Sequence, residues 1–168
     1  MTRSSLVVLV PAAEATVAPL RARHDTMAQR GVPAHVTVLA FRPVVDEHAL
    51  HAIASVAATI PPFNVVFAAV GRFPDGSVFL APEPANTFKH IIRVLAEAFP
   101  DCDPHAGPFP DPTPHLTVGR HLDATTADEV AAVLATGLPI TTVVDTLSLV
   151  SEDDVGFWTV AASWPLGR

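Results

Sequence analysis

The chain has 168 residues, 49% of them hydrophobic and 16% charged, with a formal net charge of −7. That length suits one domain, or two fused half-domains sharing a core, and the composition excludes a disordered chain. The acidic balance excludes a protein that grips long nucleic acid through a basic stripe, and the single cysteine, Cys102, excludes an internal disulfide.

Residues 5–10 read as a strand that is apolar on both faces. The apolar run stops at Pro11, far short of the roughly 20 residues a membrane span needs, and is also shorter than a secretory core. With a lone thiol, this leads us to expect a cytoplasmic protein. Over 15–29, Val17, Leu20, Arg21, His24 and Met27 recur at helical spacing, and Gly31 and Pro33 end that helix. A short β-branched strand follows, His35-Val36-Thr37-Val38, running to Phe41. Asp46 is placed to cap a helix over 47–59, which Pro61-Pro62 breaks. Strands over 63–70 and 77–81 are joined through Pro74-Asp75-Gly76, a turn sequence.

The second half then repeats the first. Ser77-Val78-Phe79-Leu80-Ala81-Pro82 echoes Ser5-Leu6-Val7-Val8-Leu9-Val10-Pro11, and a helix over 85–99 follows, with Phe88, Ile91, Ile92 and Leu95 inward. A proline-rich loop, 100–114, leads to a second strand, His115-Leu116-Thr117-Val118. A helix over 125–136 and strands over 140–150 and 156–163 complete the pattern. The repeat halves are about 1–76 and 77–168 of one domain, the second carrying an insertion in its loop. Such self-similarity predicts an α+β, bilobal, pseudo-two-fold fold, with helices outside and the two motif strands facing each other across a cleft.

The motif strands carry the chemistry. Side chains alternate faces along a strand, so His35 and Thr37 share one face, as do His115 and Thr117, while Val36, Val38, Leu116 and Val118 face a core. Two imidazoles flanking one phosphodiester can work without metal: the neutral one accepts a proton, and the protonated one gives a proton to the leaving oxygen. The threonine hydroxyls can donate to the non-bridging oxygens. Which histidine is base and which is acid stays open.

Paired H-x-T-x motifs standing 80 residues apart in a duplicated α+β chain resemble the 2H phosphoesterase superfamily, and within it the bacterial 2′-5′ RNA ligase-like (LigT-like) and cyclic phosphodiesterase branch. His35 to Phe41 looks like the first motif with its trailing aromatic, and His115-Leu116-Thr117-Val118-Gly119-Arg120 looks like the second. The resemblance implies a LigT-like fold of mostly antiparallel sheets. It also implies hydrolysis of 2′,3′-cyclic phosphates, or processing of 2′-5′ linkages, in nucleotides or RNA ends. His35 and His115 would be the acid/base pair, Thr37 and Thr117 the phosphate ligands, with no cofactor and no metal. The chain has no Tyr and is acidic, which favours a nucleotide or a small cyclic phosphodiester over long RNA. No duplex nucleic acid and no membrane is expected as partner, and a monomer is expected.

Around the motifs, Phe41 shares parity with His35 and stands either as a stacking wall for a base or as a core residue. Gly119 shares parity with His115 and opposes Leu39 of the other half, which places the bulkier part of a ligand on the Gly119 side. Arg120 stands where it could meet a second phosphate, with a solvent-exposed ion pair as the alternative. Arg23 and His24 read as cations favoured at a helix end, with the cleft mouth as the alternative. His48 and His51 read as a solvated helix face. The alternative to an enzyme is a catalytically silent nucleotide or RNA-end binding module of the same fold.

Overall fold

The first strand is apolar on both faces because both are covered. In the computed structural model, which describes residues 3–41, 45–102 and 111–168 apart from the Phe41 side chain, β1 (Ser4–Leu9) turns Leu6 and Val8 into the main core. On its other face Val7 joins a smaller cluster with Val32, Val150 and Trp158. The helix expected over 15–29 is two, α1 (Glu14–His24) and α2 (Thr26–Gln29). It breaks at Asp25, whose backbone is extended at φ −124°, ψ 110° and whose Oδ1 accepts from Met27 N at 3.0 Å. A short acidic side chain that captures a nearby N–H competes with the helical hydrogen bond, and the turn ends there.

The remaining elements follow the expected order: β2 (His35–Phe41), α3 (Glu47–Thr59), β3 (Phe63–Arg72), β4 (Val78–Glu83), α4 (Ala85–Ala98), β5 (Leu116–Gly119) and α5 (Ala124–Ala135). Asp46 caps α3 through Ala49 N at 2.8 Å, as its position suggested. Most of the proline-rich loop, residues 103–110, lies outside the described residues. The single strand expected over 140–150 is two, β6 (Ile140–Val144) and β7 (Thr146–Glu152), split at Asp145, and β8 (Trp158–Pro165) closes the chain.

The split matters because β6 and β7 join different sheets. One sheet has the order β2-β1-β7-β8, the other β5-β4-β3-β6, and every pairing within them is antiparallel. Corresponding strands occupy corresponding places, with strands exchanged between the halves: β3 pairs with β4, and β7 with β1. Helices cross over too. α4, from the second half, packs on β2, and α1, from the first, packs on β5. One continuous apolar core runs through both sheets and includes Leu6, Leu39, Ile53, Phe67, Leu80, Phe88 and Leu95. This exchange brings the two motif strands, each at a sheet edge, next to each other.

Each motif strand carries a bulge at the same point. Val7 pairs with Thr37 and Leu6 with Leu39, leaving Val38 without a partner. Phe79 pairs with Thr117 and Val78 with Gly119, leaving Val118 without one. An extra residue reverses the alternation beyond it. Val36, Val38, Leu116 and Val118 are all fully buried, as read from the sequence, but Leu39 is fully buried as well instead of lining a cleft.

The β3–β4 hairpin holds the second motif strand in place. Gly76 lies at φ +84°, and Leu122 N donates to its carbonyl at 3.2 Å, so a Cβ there would overlap the Leu122 carbonyl. At Gly156, at φ +86° in the β7–β8 hairpin, a Cβ would make only an ordinary contact, with Glu152 Oε1 at 3.7 Å. Both positions penalise an L side chain through backbone conformation, but only Gly76 adds a collision. Urea denaturation should therefore show a loss of about 1 kcal/mol for Gly156→Ala and about 2 kcal/mol or more for Gly76→Ala. Equal losses would mean that Leu122 gives way freely.

Candidate active site

The two imidazoles are anchored in the same way. His35 Nδ1 lies 2.7 Å from the carbonyl of Pro33, and His115 Nδ1 lies 2.7 Å from the carbonyl of Thr113. A carbonyl only accepts, so each Nδ1 carries the hydrogen and each Nε2 is left as the free basic nitrogen. His35 is buried, and its pKa is lowered to about 4, chiefly by desolvation; the Pro33 carbonyl and Asp25 oppose this, and the Arg21 and Arg120 charges add to it. His115 is also lowered, again first by burial, with the Thr113 carbonyl and Asp75 opposing and Arg120 assisting. One guanidinium, Arg120, thus acts on both rings.

The surroundings of the two histidines differ. A cavity of about 200 Å³ is lined by His35, Thr37 and Arg120 together with Val7, Val150 and Trp158. His115 and Thr117 are not part of its lining. His115 instead meets two phenyl rings edge-on, Phe73 at 4.9 Å and Phe79 at 5.6 Å between centroids, and those two stack on each other at 4.4 Å. Phe79 in turn lies flat on Gly71, where any Cβ would overlap its ring. Among the described residues neither the Thr37 nor the Thr117 hydroxyl has a hydrogen-bond partner, which leaves both free to donate.

Arg120 is fixed from behind. Its Nε donates to Asp25 Oδ1 at 2.8 Å, and its backbone N donates to the His24 carbonyl at 2.9 Å. Asp25 is fully buried, as is Arg21, which donates to Asp25 Oδ2 through Nη2 at 2.9 Å and Nε at 3.2 Å. Trp158, also buried, has an indole N–H with no partner among the described residues, an unusual state for a buried donor.

The structure thus brings His35, Thr37 and Arg120 to one cavity, with His115 just ahead of β5, the strand that meets β2. Gly119 is a correction. The bulge turns it away from the cleft, and its Cβ position is filled by the Leu122 side chain and by His24, so it opens no room for a ligand. The backbone of Phe41 pairs with Ser4 in β2, while its side chain lies outside the described residues. Arg23 is exposed, and His24 packs on Gly119. His48 and His51 lie on the solvated face of α3, with His51 Nδ1 on the Glu47 carbonyl. Sequence reasoning missed Asp25, Trp158, Phe73 and Phe79. Asp25 had a signal, since Arg21 stood on an apolar helix face with an acid four residues on.

A family model described as the 2′-5′ RNA ligase superfamily matches residues 9–156. The chain belongs to the 2′-5′ RNA ligase superfamily, the 2H phosphoesterases. Among curated proteins none matches its sequence. Solved structures share its fold: LigT of E. coli, in a crystal complexed with 3′-AMP, superposes with a TM-score of 0.64 at 21% identity, covering 99% of both chains. A crystal structure described as a phosphoesterase gives 0.66 at 18% identity over 100% of both. A protein from Thermus thermophilus gives 0.63 at 19% identity, covering 98% of both. These likenesses speak for the fold, and the α+β, antiparallel, two-lobed arrangement is that of the LigT-like members of the superfamily. No helix among the described residues is long and apolar enough to cross a membrane.

Burial of His35 has a consequence for stability. It binds a proton near pH 4 in the folded chain and near its ordinary 6.5 when unfolded, so between those values the unfolded chain holds more protons. The contribution is present in full above pH 6.5 and is lost as pH falls towards 4, reaching about 3 kcal/mol. His35→Asn, which keeps a donor for the Pro33 carbonyl but does not titrate, should flatten this part of the slope. Urea titrations of both proteins at stepped pH would show it; parallel curves would mean that His35 is not desolvated.

Proposed function

We propose that the chain is a metal-independent phosphodiesterase that opens a 2′,3′-cyclic phosphate, or a related small phosphodiester, by acid/base catalysis with His35 and His115. The observation that carries this reading is the matched pair of imidazoles, each with Nδ1 tied to a carbonyl and Nε2 left free, on adjacent strands under the influence of one guanidinium. His35, the more deeply buried, is neutral and serves as base. Its Nε2 takes a proton from water as the oxygen attacks phosphorus, and His115 gives its proton to the ribose oxygen as the P–O bond breaks. Thr37, Thr117 and the outer nitrogens of Arg120 hold the non-bridging oxygens, where negative charge is carried.

The cavity supports a small substrate. At about 200 Å³ it lies below the usual range for drug-sized ligands, roughly 300–1,000 Å³, and fits a nucleotide better than an RNA chain. In the first lobe the positions beside the motif strand hold Val7 and Val150, and in the second they hold Phe79 and Phe73. The organic group therefore lies over Val7 and Val150, towards Trp158, and not on the Gly119 side. The 3′-AMP named in the LigT complex is a ligand of that size class.

Hydrolysis of 2′,3′-cyclic AMP, followed by chromatography in the presence of EDTA, tests the reading. His35→Ala and His115→Ala should each lower kcat by at least about 10²-fold with the fold retained. Both histidines are depressed in the free protein, so kcat/KM should peak on the acid side, rising above about pH 4 as His35 loses its proton. It should fall again as pH rises further and His115 loses its own, before the ordinary imidazole value of 6.5 is reached. Nucleotide binding with no turnover of any cyclic substrate would instead mark a silent binding module.

A further inference from the structure

The buried carboxylate of Asp25 has more partners than a break between two helices requires. Four N–H groups converge on it: Arg21 Nε and Nη2 on Oδ2, and Met27 N and Arg120 Nε on Oδ1. A carboxylate has about four acceptor sites, so all are filled. Arg21, fully buried beside it, balances its charge. Arg21 and the Met27 N–H fill three of those sites from within the same turn. Oδ1 nevertheless reaches across to a residue 95 positions later, in the other half of the repeat.

The direction of that last bond is informative. Arg120 gives Asp25 its inner nitrogen, Nε, at 2.8 Å, and its side chain is about one-third exposed. The two outer nitrogens, Nη1 and Nη2, have no partner among the described residues, while the side chain lines the cavity with His35 and Thr37. The backbone of Arg120 is pinned to the same turn through the His24 carbonyl, and Thr26 and Met27, just beyond Asp25, form part of the cavity wall. A guanidinium held by Nε presents its outer pair as a ready fork for two oxygens of one anion.

We infer that Asp25, backed by Arg21, is a positioning residue that locks the Arg120 guanidinium with its outer fork turned into the cavity, so that a phosphate group meets a cation already in place. Arg120 is otherwise a flexible side chain, and fixing it before the ligand arrives removes the ordering cost from binding. The carboxylate touches no substrate. It acts through Arg120, and it links the first lobe, where the cavity lies, to the strand end of the second. This inference rests on the phosphate site proposed above.

Calorimetric titration with inorganic phosphate, which needs no turnover, tests it on the full chain. Arg120→Met and Asp25→Asn should each weaken phosphate binding about tenfold, and the double variant should bind no worse than Arg120→Met alone. Should Asp25→Asn fail to fold, Arg120→Lys carries the test. It keeps the charge but cannot hold Asp25 and present a fork together, so it should bind as weakly as Arg120→Met. With 2′,3′-cyclic AMP as substrate, the loss in Asp25→Asn should fall on KM more than on kcat, which a general loss of structure would not produce. Wild-type affinity in Asp25→Asn or in Arg120→Lys, or independent losses in the double variant, would overturn the positioning role. If the wild-type chain itself binds no phosphate, the site reading falls and this inference with it.

Discussion

Each imidazole of the cleft is held by a single hydrogen bond from Nδ1 to the carbonyl two residues upstream, and the chemistry of the site follows from that bond. It fixes the orientation of each ring without any acidic partner and leaves Nε2 as the nitrogen that takes up or gives a proton. A histidine oriented by a carboxylate would be pushed towards the charged form. One oriented by a neutral carbonyl and buried is pushed the other way, as both are here. The bond also needs the residue before the strand to bend back over the ring, and Pro33 and Thr113 stand at matching positions of the repeat to do so. What is duplicated in this chain is therefore more than a sequence pattern; it is the means of holding an imidazole at a strand end with its Nε2 free.

On that symmetric base the two lobes have diverged. The first has small aliphatic residues beside the motif strand, a buried tryptophan and a buried Arg21–Asp25 pair to which the second half adds Arg120. The second has two stacked phenyl rings pressed against its histidine and a glycine beneath them. One side leaves space and charge, and the other fills space and excludes water. A pseudo-two-fold site of this kind can give two chemically identical groups different jobs, because the protonation state of each imidazole depends on its local solvent access and its neighbours.

Much of this was legible in the sequence, and the failures share a cause. The repeated His-x-Thr, the buried aliphatic residues between them, the Asp46 cap and the element order all follow from local periodicity, and each stands in the structure. Leu39 and Gly119 were misplaced because parity was carried through a bulge, and an extra unpaired residue leaves no mark in a run of valines. The break at Asp25 was missed because Thr26 to Gln29 is helical again, so the apolar spacing continued across it. Trp158 and Phe73 reach the site only because β7 and β3 are exchanged between halves. Strand exchange depends on the whole topology, and no local spacing encodes it. Arg120 was found for its place after the motif, but the partner that aims it lies 95 residues earlier.

The charge balance of the chain and of the site point in opposite directions, and distance reconciles them. A net charge of −7 spread over the surface opposes the approach of a long polyanion, whose many phosphates feel the whole field. A single small anion in the cavity responds mainly to charges within about 10 Å, beyond which salt screens exposed groups. The hydrogen-bonded cluster there is Arg21, Asp25 and Arg120, two positive charges and one negative, a surplus of one positive charge, with Asp75 acting on Arg120 from the His115 side. The Arg21–Asp25 pair is buried out of reach of counter-ions, so the surplus stays directed at the cavity. On the function proposed here, an acidic protein would in this way admit a small phosphate while holding off longer nucleic acid, with the discrimination set by where the charges lie rather than by how many there are.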